Sequence, residues 1–597
     1  MMKRLREVFG IVLCLSLVAL VGWALNQKAP RPKPLPYLSQ AVRKKTELSM
    51  KTLLIVDSRE EVSKDAQAHY EQMLKDMRYG YQVWNRSSGE TLPNLKHYER
   101  LVLLLPSFDL IEDKREELQG WLRQGGQLLF GLAMTQDESS ASWYEAMGIR
   151  DATEGHTKVS SLYPKADFLM GGGKGYTLDQ PFESSWKVQL MNNAQIYMWG
   201  NQKDPFPLVW TCGYGKGKVV VDNIGFYEKA NRGLHMAVFS LLGDYTIYPV
   251  INGKSYVIDD FPAPIPSGRS SFIEKDYSMT IQHFFRSIWW PDLIRLSRKW
   301  KLPFTGAAIE NYGAQTKGPF TYSKNENLFA ESLLDQGGDI AFHGYNHQPL
   351  ALSTKSYKDR YPAYRAWPSM EDMRASLRCL REAISQWDDR SDPTVYVPPS
   401  NVLTEEGRQM IKATPGLRTI AASYFGGDAA YEQEFTWGDD GIIDAPRTVA
   451  GYAWDDFNRL TILSEVNGHF VHHQFFHPDD LLDKERGGDL GWKNLYKSLN
   501  QNLRELEEMS PQLRPLTTAE LGAAIQRYDN ISIQSQRQGG GIGLKLDGFV
   551  DEAYLLVRLP DERLRSVEGG KFWKLREHFY LLKADSANLF LSIEKGK

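Results

Sequence analysis

The feature that most constrains the fold is a succession of short, unbroken apolar runs, separated by amphipathic stretches, between residues 249 and 528. These runs are predicted strands at residues 255–258, 304–309, 339–342, 395–397, 419–423, 442–444 and 470–476. Strands that are apolar along their whole length are typical of parallel sheets with helices on both faces. The alternation predicts an α/β unit of roughly seven or eight β/α repeats, which is an incomplete or complete barrel.

Two helix start signals lie inside this unit. Ser369 is a predicted N-cap for a helix that runs to Trp387. Thr517 and Glu520 have the spacing of a capping box at the start of the last helix.

A second α/β unit is predicted for residues 51–248, with strands at 53–56, 101–105, 128–130 and 219–221. Within it, residues 118–129 resemble the glutamine-amidotransferase-like variant of the flavodoxin fold, in which a helix, a Gly-rich turn and a strand follow the catalytic elbow. The elbow position holds Pro106, Ser107 and Phe108 and lacks the Cys. The resemblance therefore implies the fold without amidotransferase activity, and we expect a binding or scaffolding role.

Residues 529–597 alternate apolar and polar side chains with a period of two, at 531–533, 553–557 and 588–593. This pattern, with Gly and Asp between the runs, predicts a small β-sandwich-like domain.

The N-terminus carries a targeting pattern. Lys3, Arg4 and Arg6 precede an uncharged apolar run from residue 9 to residue 25. The pattern predicts an uncleaved signal anchor over residues 1–25, with a cleaved signal peptide as the alternative. Residues 26–50 are a predicted Pro-rich linker. We expect the body to be membrane-anchored on the extracytoplasmic side, in the periplasm or at the cell surface, or to be secreted if the segment is cleaved.

Composition excludes several classes of function. A net charge of −3 argues against a nucleic-acid-binding protein, which would carry a basic surplus. Three Cys are too few for a Cys-rich metal site or a disulfide framework. A metal centre in this chain would therefore use His and carboxylate ligands.

Polar residues follow the predicted strands of the 249–528 unit. Catalytic groups of β/α barrels lie at the carboxyl ends of the strands, so these residues are expected in one pocket. A carboxylate and two imidazoles can hold a divalent metal, and a spare carboxylate can act as a base. The residues are Asp259, Asp260, His343, His347, Pro399, Ser400 and His477.

Residues 258–262 (Ile-Asp-Asp-Phe-Pro) and 343–347 (His-Gly-Tyr-Asn-His) resemble motifs of the polysaccharide deacetylases, the NodB-like family 4 carbohydrate esterases. The family motifs are Thr-Phe-Asp-Asp-Gly and His-Ser/Thr-x-x-His. The likeness is to an uncharacterised bacterial branch related to exopolysaccharide-associated deacetylases. The chain departs from the family by placing Phe261 where the first motif has Gly, and by lacking the Arg of the third motif.

The resemblance assigns a role to each matching residue. Asp260, His343 and His347 would bind the metal, expected to be Zn²⁺, with Co²⁺ or Ni²⁺ as alternatives. Asp259 would accept a proton, and His477 would donate one to the leaving amine.

Five further residues would complete the site. His473 would contribute to substrate binding and competes with His477 as the proton donor. Arg447 would replace the missing Arg that orients the base, and Trp454 would contribute to substrate binding. The backbone around Pro399 and Ser400 would hold the developing oxyanion.

The expected function is that of an extracytoplasmic, metal-dependent N-deacetylase acting on an amino-sugar polysaccharide, either an exopolysaccharide or a cell-wall glycan. Exopolysaccharide synthesis or export proteins are expected partners. One alternative is a non-catalytic polysaccharide-binding component of an export assembly. The other is a glycoside hydrolase that pairs Asp259 with Glu310 or Glu465.

Overall fold

A computed structural model describes residues 34–43, 48–261, 265–323, 328–387, 392–427 and 429–596. The predicted signal anchor and residues 26–33 and 44–47 of the predicted linker lie outside these residues. Among the described residues, no helix has both the length and the apolar character needed to cross a membrane. Tyr37–Lys597 forms one compact unit, and the domain boundaries predicted within it remain predictions.

The first half of this unit is built around a nine-stranded sheet. The strands are β1 Met50–Val56, β2 Gly80–Asn85, β3 Arg100–Leu104, β4 Gln127–Phe130, β5 Ile149–Pro164, β6 Tyr176–Leu190, β7 Gln195–Gly200, β8 Phe206–Tyr214 and β9 Gly217–Asp222. The helices are α1 Glu61–Asp76, α2 Arg115–Arg123, α3 Tyr144–Met147 and α4 Arg232–Phe239. The strand order is β2-β1-β3-β4-β9-β8-β7-β5-β6.

This sheet has a parallel half and an antiparallel half. The parallel half, β2-β1-β3-β4-β9, contains every strand that the sequence predicted in the region. The antiparallel half, β8-β7-β5-β6, was not predicted. Much of β5 is solvent-exposed, so it lacks the unbroken apolar run that marks a buried strand.

A second nine-stranded sheet follows. Its region contains β10 Thr246–Val250, β11 Gly253–Phe261, β12 Phe304–Ala308, β13 Asp339–Phe342, β14 Val395–Tyr396, β15 Thr419–Ile420, β16 Thr436–Trp437, β17 Ile443–Asp444, β18 Val449–Ala450 and β19 Val471–Phe476. Its helices are α5 Ser271–Tyr277, α6 Ile281–Phe284, α7 Trp290–Trp300, α8 Leu328–Asp335, α9 Met370–Trp387, α10 Glu405–Ala413, α11 Asp456–Gly468, α12 Gly491–Met509 and α13 Thr518–Asn530.

This second sheet curls into a half-barrel with the order β16-β17-β15-β14-β13-β12-β11-β19-β18. All neighbouring pairs are parallel except β16 and β17. The predicted α/β class is therefore confirmed, and the predicted barrel takes the form of a half-barrel. Small apolar side chains line its inner face: Val257, Ala307, Ala341, Val395, Val397 and Ala421.

Both predicted helix caps are confirmed. The Ser369 hydroxyl accepts a hydrogen bond from the Asp372 amide over 3.1 Å. Thr517 and Glu520 form the reciprocal capping box that starts α13.

The C-terminal strands are β20 Ser532–Gln538, β21 Gly541–Asp547, β22 Ala553–Arg558, β23 Glu562–Glu568, β24 Gly570–Arg576, β25 Phe579–Ala584 and β26 Asn588–Lys595. They form two four-stranded antiparallel sheets, β10-β22-β25-β24 and β20-β21-β26-β23. One buried cluster draws side chains from both sheets, including Leu544, Leu555, Leu582 and Leu591. Because β10 pairs with β22, residues well before 529 complete this structure.

Candidate metal and catalytic site

A bulge at the end of β11 sets the positions of the two adjacent carboxylates. Ile258 pairs with Gly306, and Phe261 pairs with Ala308, so β11 holds one more residue than β12 between these pairs. Asp260 has a φ of +54°, in the left-handed region that Asp tolerates better than most residues. Bulges redirect side chains at sheet edges. Here the bulge allows consecutive residues to serve one site, although strict alternation would send them to opposite faces.

Asp260, His343 and His347 meet in one cluster. The Asp260 Oδ1 atom lies 3.5 Å from His343 Nε2 and 3.4 Å from His347 Nε2. One potential ligand atom from each of the three residues lies within 4.8 Å of the others. The side chains come from β11 and from the loop after β13, which are two strands apart in the sheet.

Both imidazoles turn their Nε2 atoms toward Asp260 because their Nδ1 atoms are held elsewhere. His343 Nδ1 donates to the Val397 carbonyl over 2.8 Å. His347 Nδ1 lies 3.0 Å from the Tyr364 hydroxyl. A hydrogen bond at one ring nitrogen fixes the orientation of a metal-binding His and leaves the other nitrogen available as a ligand.

The three residues fit a divalent metal. Asp260 Oδ1 and His343 Nε2 are buried and have no hydrogen-bond partner among the described residues. Burial raises the pKa of Asp260, because a carboxylate without a partner is costly in a dry site. Burial, with help from His343, lowers the pKa of His347 to about 3, so its ring is neutral and keeps a lone pair. One carboxylate and two imidazoles suit Zn²⁺, Co²⁺ or Ni²⁺.

Asp259 forms a buried ion pair with Arg447. Arg447 Nη1 donates to Asp259 Oδ2 over 2.6 Å, and both side chains are at most 2% exposed. The guanidinium also donates to Asn401 Oδ1 and lies 4.0 Å from the centre of the Phe475 ring. Burial raises the pKa of Asp259, but the charges of Arg447, His343 and His477 outweigh burial and lower the pKa to about 2. The Asp259 carboxylate is therefore ionised at neutral pH.

His477 also lies beside the Asp259 carboxylate. Its Nε2 atom is 3.7 Å from Asp259 Oδ2, and its Nδ1 atom is 3.2 Å from Asp480 Oδ1. Burial lowers the pKa of His477, but the hydrogen bond to Asp480 and the charge of Asp259 outweigh it and raise the pKa to about 9. The site therefore pairs an ionised carboxylate with a protonated imidazole, which are a proton acceptor and a proton donor.

The turn at Pro399–Asn401 lies against the same cluster. Ser400 has a φ of +50°, and its hydroxyl lies 2.6 Å from that of Tyr364. Pro399 packs against the loop after β13, since a Cβ built on Gly344 would lie 3.3 Å from Pro399 Cγ. Pro399 thus lies against Gly344, and Ser400 contacts Tyr364, whose hydroxyl also contacts His347.

His473 and Trp454 are not brought into the cluster. His473 pairs with Ser255, four residues before Asp259 and roughly 13 Å lower along the strand. Its ring nitrogens face the Pro446 carbonyl at 3.1 Å and the Thr518 hydroxyl at 3.4 Å. Both nitrogens are thus engaged within the base of the half-barrel.

Trp454 lies on the opposite face of β19. Its indole donates to Gln474 Oε1 over 3.2 Å, and successive side chains of a strand alternate between faces. Phe475, the next residue, is on the Arg447 side. The structure therefore places His473 at the base of the half-barrel and Trp454 on the opposite face of β19, and the roles predicted for both residues remain predictions.

The carboxylates proposed for a glycoside hydrolase are not paired with Asp259. Glu310 Oε1 accepts a hydrogen bond from the Ser323 amide over 2.7 Å. Glu465 lies on α11, where its carboxylate is 2.8 Å from His469 Nδ1.

Four residues at the site were not predicted from the sequence: Tyr312, Tyr364, Asn401 and Asp480. Asn401 directly follows the Pro-Pro-Ser sequence, and Asp480 lies three residues after His477, so their positions offered a signal. The Tyr312 ring lies 5.9 Å from the His347 ring. Neither tyrosine lies in a helix or strand, so no periodic pattern could have identified them.

The fold and the site define an α/β protein with a candidate divalent metal centre at the carboxyl end of a curled half-barrel. Residues 176–581 match the sequence profile of DUF2194, which is described as an uncharacterised protein conserved in bacteria. The chain belongs to this family. A comparison with curated proteins finds no match.

Three solved structures show distant likenesses to this chain. A protein from Parabacteroides distasonis, provisionally named a glycoside hydrolase/deacetylase, is 10% identical, with a TM-score of 0.29 over 53% of this chain and 81% of that chain. A β-galactosidase from Rahnella sp. R3 is 15% identical, with a TM-score of 0.25 over 34% of each chain. A ThuA-like protein from Parabacteroides merdae is 13% identical, with a TM-score of 0.24 over 32% of this chain and 87% of that chain. This chain thus spans about a third of the length of the β-galactosidase.

Proposed function

We propose that this protein is a metal-dependent hydrolase that removes N-acetyl groups from the amino sugars of a polysaccharide. The proposal rests on two groups of residues that meet at the bulge of β11, a candidate metal-ligand set and a candidate proton-transfer pair. Asp260 belongs to a His-His-carboxylate ligand set with unsatisfied buried atoms. Asp259, the preceding residue, belongs to a proton-acceptor and proton-donor pair with His477.

Asp260, His343 and His347 would hold the metal. When bound, a divalent metal supplies a Lewis acid that polarises the acetyl carbonyl and makes water a stronger acid. The ligand residues are fixed by second contacts, His343 through the Val397 carbonyl and His347 through Tyr364. Such outer contacts keep a ligand set in the geometry that the metal requires.

Asp259 would accept a proton from the attacking water. Its ionised state at neutral pH suits this role, and Arg447 holds the carboxylate in one orientation. His477 would donate a proton to the amine nitrogen as the C–N bond breaks, which its raised pKa favours. The backbone after Pro399 would stabilise the negative oxygen of the tetrahedral intermediate.

The substrate class and the setting belong to the same proposal. An amino-sugar polymer, an extracytoplasmic location and exopolysaccharide synthesis or export partners are proposed from the sequence motifs and the targeting pattern. A polysaccharide-binding protein without catalysis would need no ionised Asp259 beside a protonated His477, so the paired protonation states favour the enzyme.

The test is acetate release by the purified full-length protein from a panel of acetylated amino-sugar polymers. The assay is run after chelation, after return of Zn²⁺, and with Asp259→Asn. Asp489→Asn is the matched control, because Asp489 is an exposed carboxylate on the surface. We expect chelation and Asp259→Asn to abolish acetate release. Return of Zn²⁺ should restore it, and Asp489→Asn should retain it. Metal-loaded protein that releases no acetate from any polymer would overturn the proposal.

A further inference from the structure

An apolar pocket adjoins the candidate metal site. Three of its lining residues directly adjoin residues of that site. Phe261 follows Asp260, Pro478 follows His477, and the Tyr312 ring contacts that of His347. A group attached to a carbonyl at the metal site could therefore extend into this pocket.

The pocket wall is dominated by aromatic and aliphatic side chains. Phe285, Trp289 and Phe329 contribute rings, and Ile265 and Pro266 complete the apolar lining. The space between these side chains is about 550 Å³, including the open solvent at the pocket mouth.

Among the lining residues that the structure describes, polar groups are few. They are the Tyr312 hydroxyl and the Asp479 carboxylate, and Arg486 already lies 2.7 Å from Asp479. A sugar ring would bury several hydroxyls here with too few partners, and a buried hydroxyl without a partner is unfavourable. An alkyl chain needs no partner and gains from leaving water.

The backbone builds this pocket with a local irregularity. Residues Phe285–Trp289 form a π-helical turn between α6 and α7, and such turns occur frequently at functional sites. Trp289 is anchored by a hydrogen bond of 3.1 Å from its indole to the Tyr452 hydroxyl. Phe261 packs over Gly306, where a Cβ would lie 2.3 Å from the Phe261 ring. Contacts with Tyr452 and Gly306 therefore fix Trp289 and Phe261 in the pocket wall.

We infer that the pocket receives the alkyl part of an acyl chain longer than acetyl, so that the enzyme acts on N-acyl amino sugars with short to medium chains. This inference rests on the proposed hydrolase function and specifies its substrate. In the reaction, the oxygen of water bonds to the acyl carbon and the C–N bond breaks. The products are the carboxylate of the acyl chain and the sugar, whose nitrogen is now a protonated amine.

The test compares glucosamine tetramers that carry N-acetyl, N-butanoyl or N-octanoyl groups, with the full-length, Zn²⁺-loaded protein. We expect kcat/KM to rise about fourfold for each methylene that the pocket buries. If the acetyl substrate is cleaved and longer chains are cleaved no faster, the inference is overturned.

A pocket-filling variant separates this pocket from general effects. Ile265→Trp should lower kcat/KM for the octanoyl substrate at least tenfold and leave that for the acetyl substrate within about twofold. Ile294→Trp is the matched control, because Ile294 is a partly buried Ile of the same core that does not line the pocket. An equal loss on both substrates with Ile265→Trp would contradict the inference.

Calorimetric binding of the same tetramers to the metal-free protein distinguishes failure of the pocket from failure of the function. Tighter binding of the octanoyl tetramer without hydrolysis of any tetramer would uphold the pocket and overturn the hydrolase. Equal binding of acetyl and octanoyl tetramers would overturn the pocket, whatever the hydrolysis assay shows.

Discussion

Arg447 donates a hydrogen bond of 2.6 Å to Asp259 across 188 residues of sequence. The pair joins the loop after β17 to the bulge of β11, and both side chains are buried. Because Arg447 also bonds Asn401, a single guanidinium fixes the candidate base relative to the turn at Pro399–Asn401.

Arg447→Ala should impair catalysis more than metal binding. Without the guanidinium, Asp259 loses its orientation, and positioned bases typically contribute 10²–10⁴-fold, so we expect kcat to fall about 100-fold. The Zn²⁺ dissociation constant from calorimetry should change less than about threefold. Arg537→Ala, at an exposed ion pair, is the control. A loss of Zn²⁺ affinity as large as the loss of kcat would contradict this role.

The same substitution should destabilise the fold. It leaves the Asp259 carboxylate buried and unpaired, and breaking a buried ion pair typically costs about 3–5 kcal/mol. Denaturant unfolding of Arg447→Ala beside wild type measures this difference. A variant as stable as wild type would show that Asp259 does not depend on Arg447 for its charge.

Tyr364→Phe should weaken metal binding. The Tyr364 hydroxyl holds His347 Nδ1 at 3.0 Å, and loss of such outer contacts typically costs about 10–100-fold in metal affinity. Tyr361→Phe is a matched control, because its ring lies beside Tyr364. Equal Zn²⁺ affinities of the two variants would show that the hydroxyl contact does not orient His347.

His477 and His473 should differ in their effect on the pH profile. Asp480 and Asp259 raise the pKa of His477 to about 9, so activity should decline as the pH rises through about 9 and the donor loses its proton. His477→Gln should lower kcat at least 100-fold and remove this alkaline decline. His473→Gln should retain the decline, because His473 lies at the base of the half-barrel. The reverse pattern would make His473 the proton donor.

A buried cluster away from the site should make stability depend on pH. Burial lowers the pKa of His469, but Glu465 and Asp76 outweigh burial and raise the pKa to about 10. A raised pKa in the folded state stabilises the protein fully below the unfolded value of about 6.5, and this contribution is lost as the pH rises toward 10. His469→Gln should therefore lower Tm most at pH 6, with a difference from wild type that shrinks by pH 10. A constant difference would show that His469 is not charged in the folded state.

The strand ends were predictable because buried parallel strands leave unbroken apolar runs. Val257, Ala341 and Phe475 lie on the inner face, each two residues before a candidate site residue. A period of two then sends Asp259, His343 and His477 to the same face. The same period does not indicate how far along its strand a residue lies. His473 therefore shares this face, but it pairs with Ser255, four residues before Asp259, and lies away from the site.

Other features had no local signal. The strands β14, β15 and β17 are two residues long, so the apolar runs at residues 395–397, 419–423 and 442–444 predicted longer strands than form there. The contact of Tyr364 with His347 depends on the path of an irregular segment. Arg447 was assigned through the family resemblance, because nothing in its local sequence predicts a contact with Asp259.

The proposed metal-dependent deacetylation is tested most directly by titrating the metal-free, full-length protein with Zn²⁺ and measuring acetate release from an acetylated amino-sugar polymer at each step. We expect release to rise with added Zn²⁺ and to reach a plateau at about one equivalent per chain, since Asp260, His343 and His347 form one ligand set. Release that does not depend on Zn²⁺, or protein that binds one equivalent and releases no acetate, would contradict the proposal.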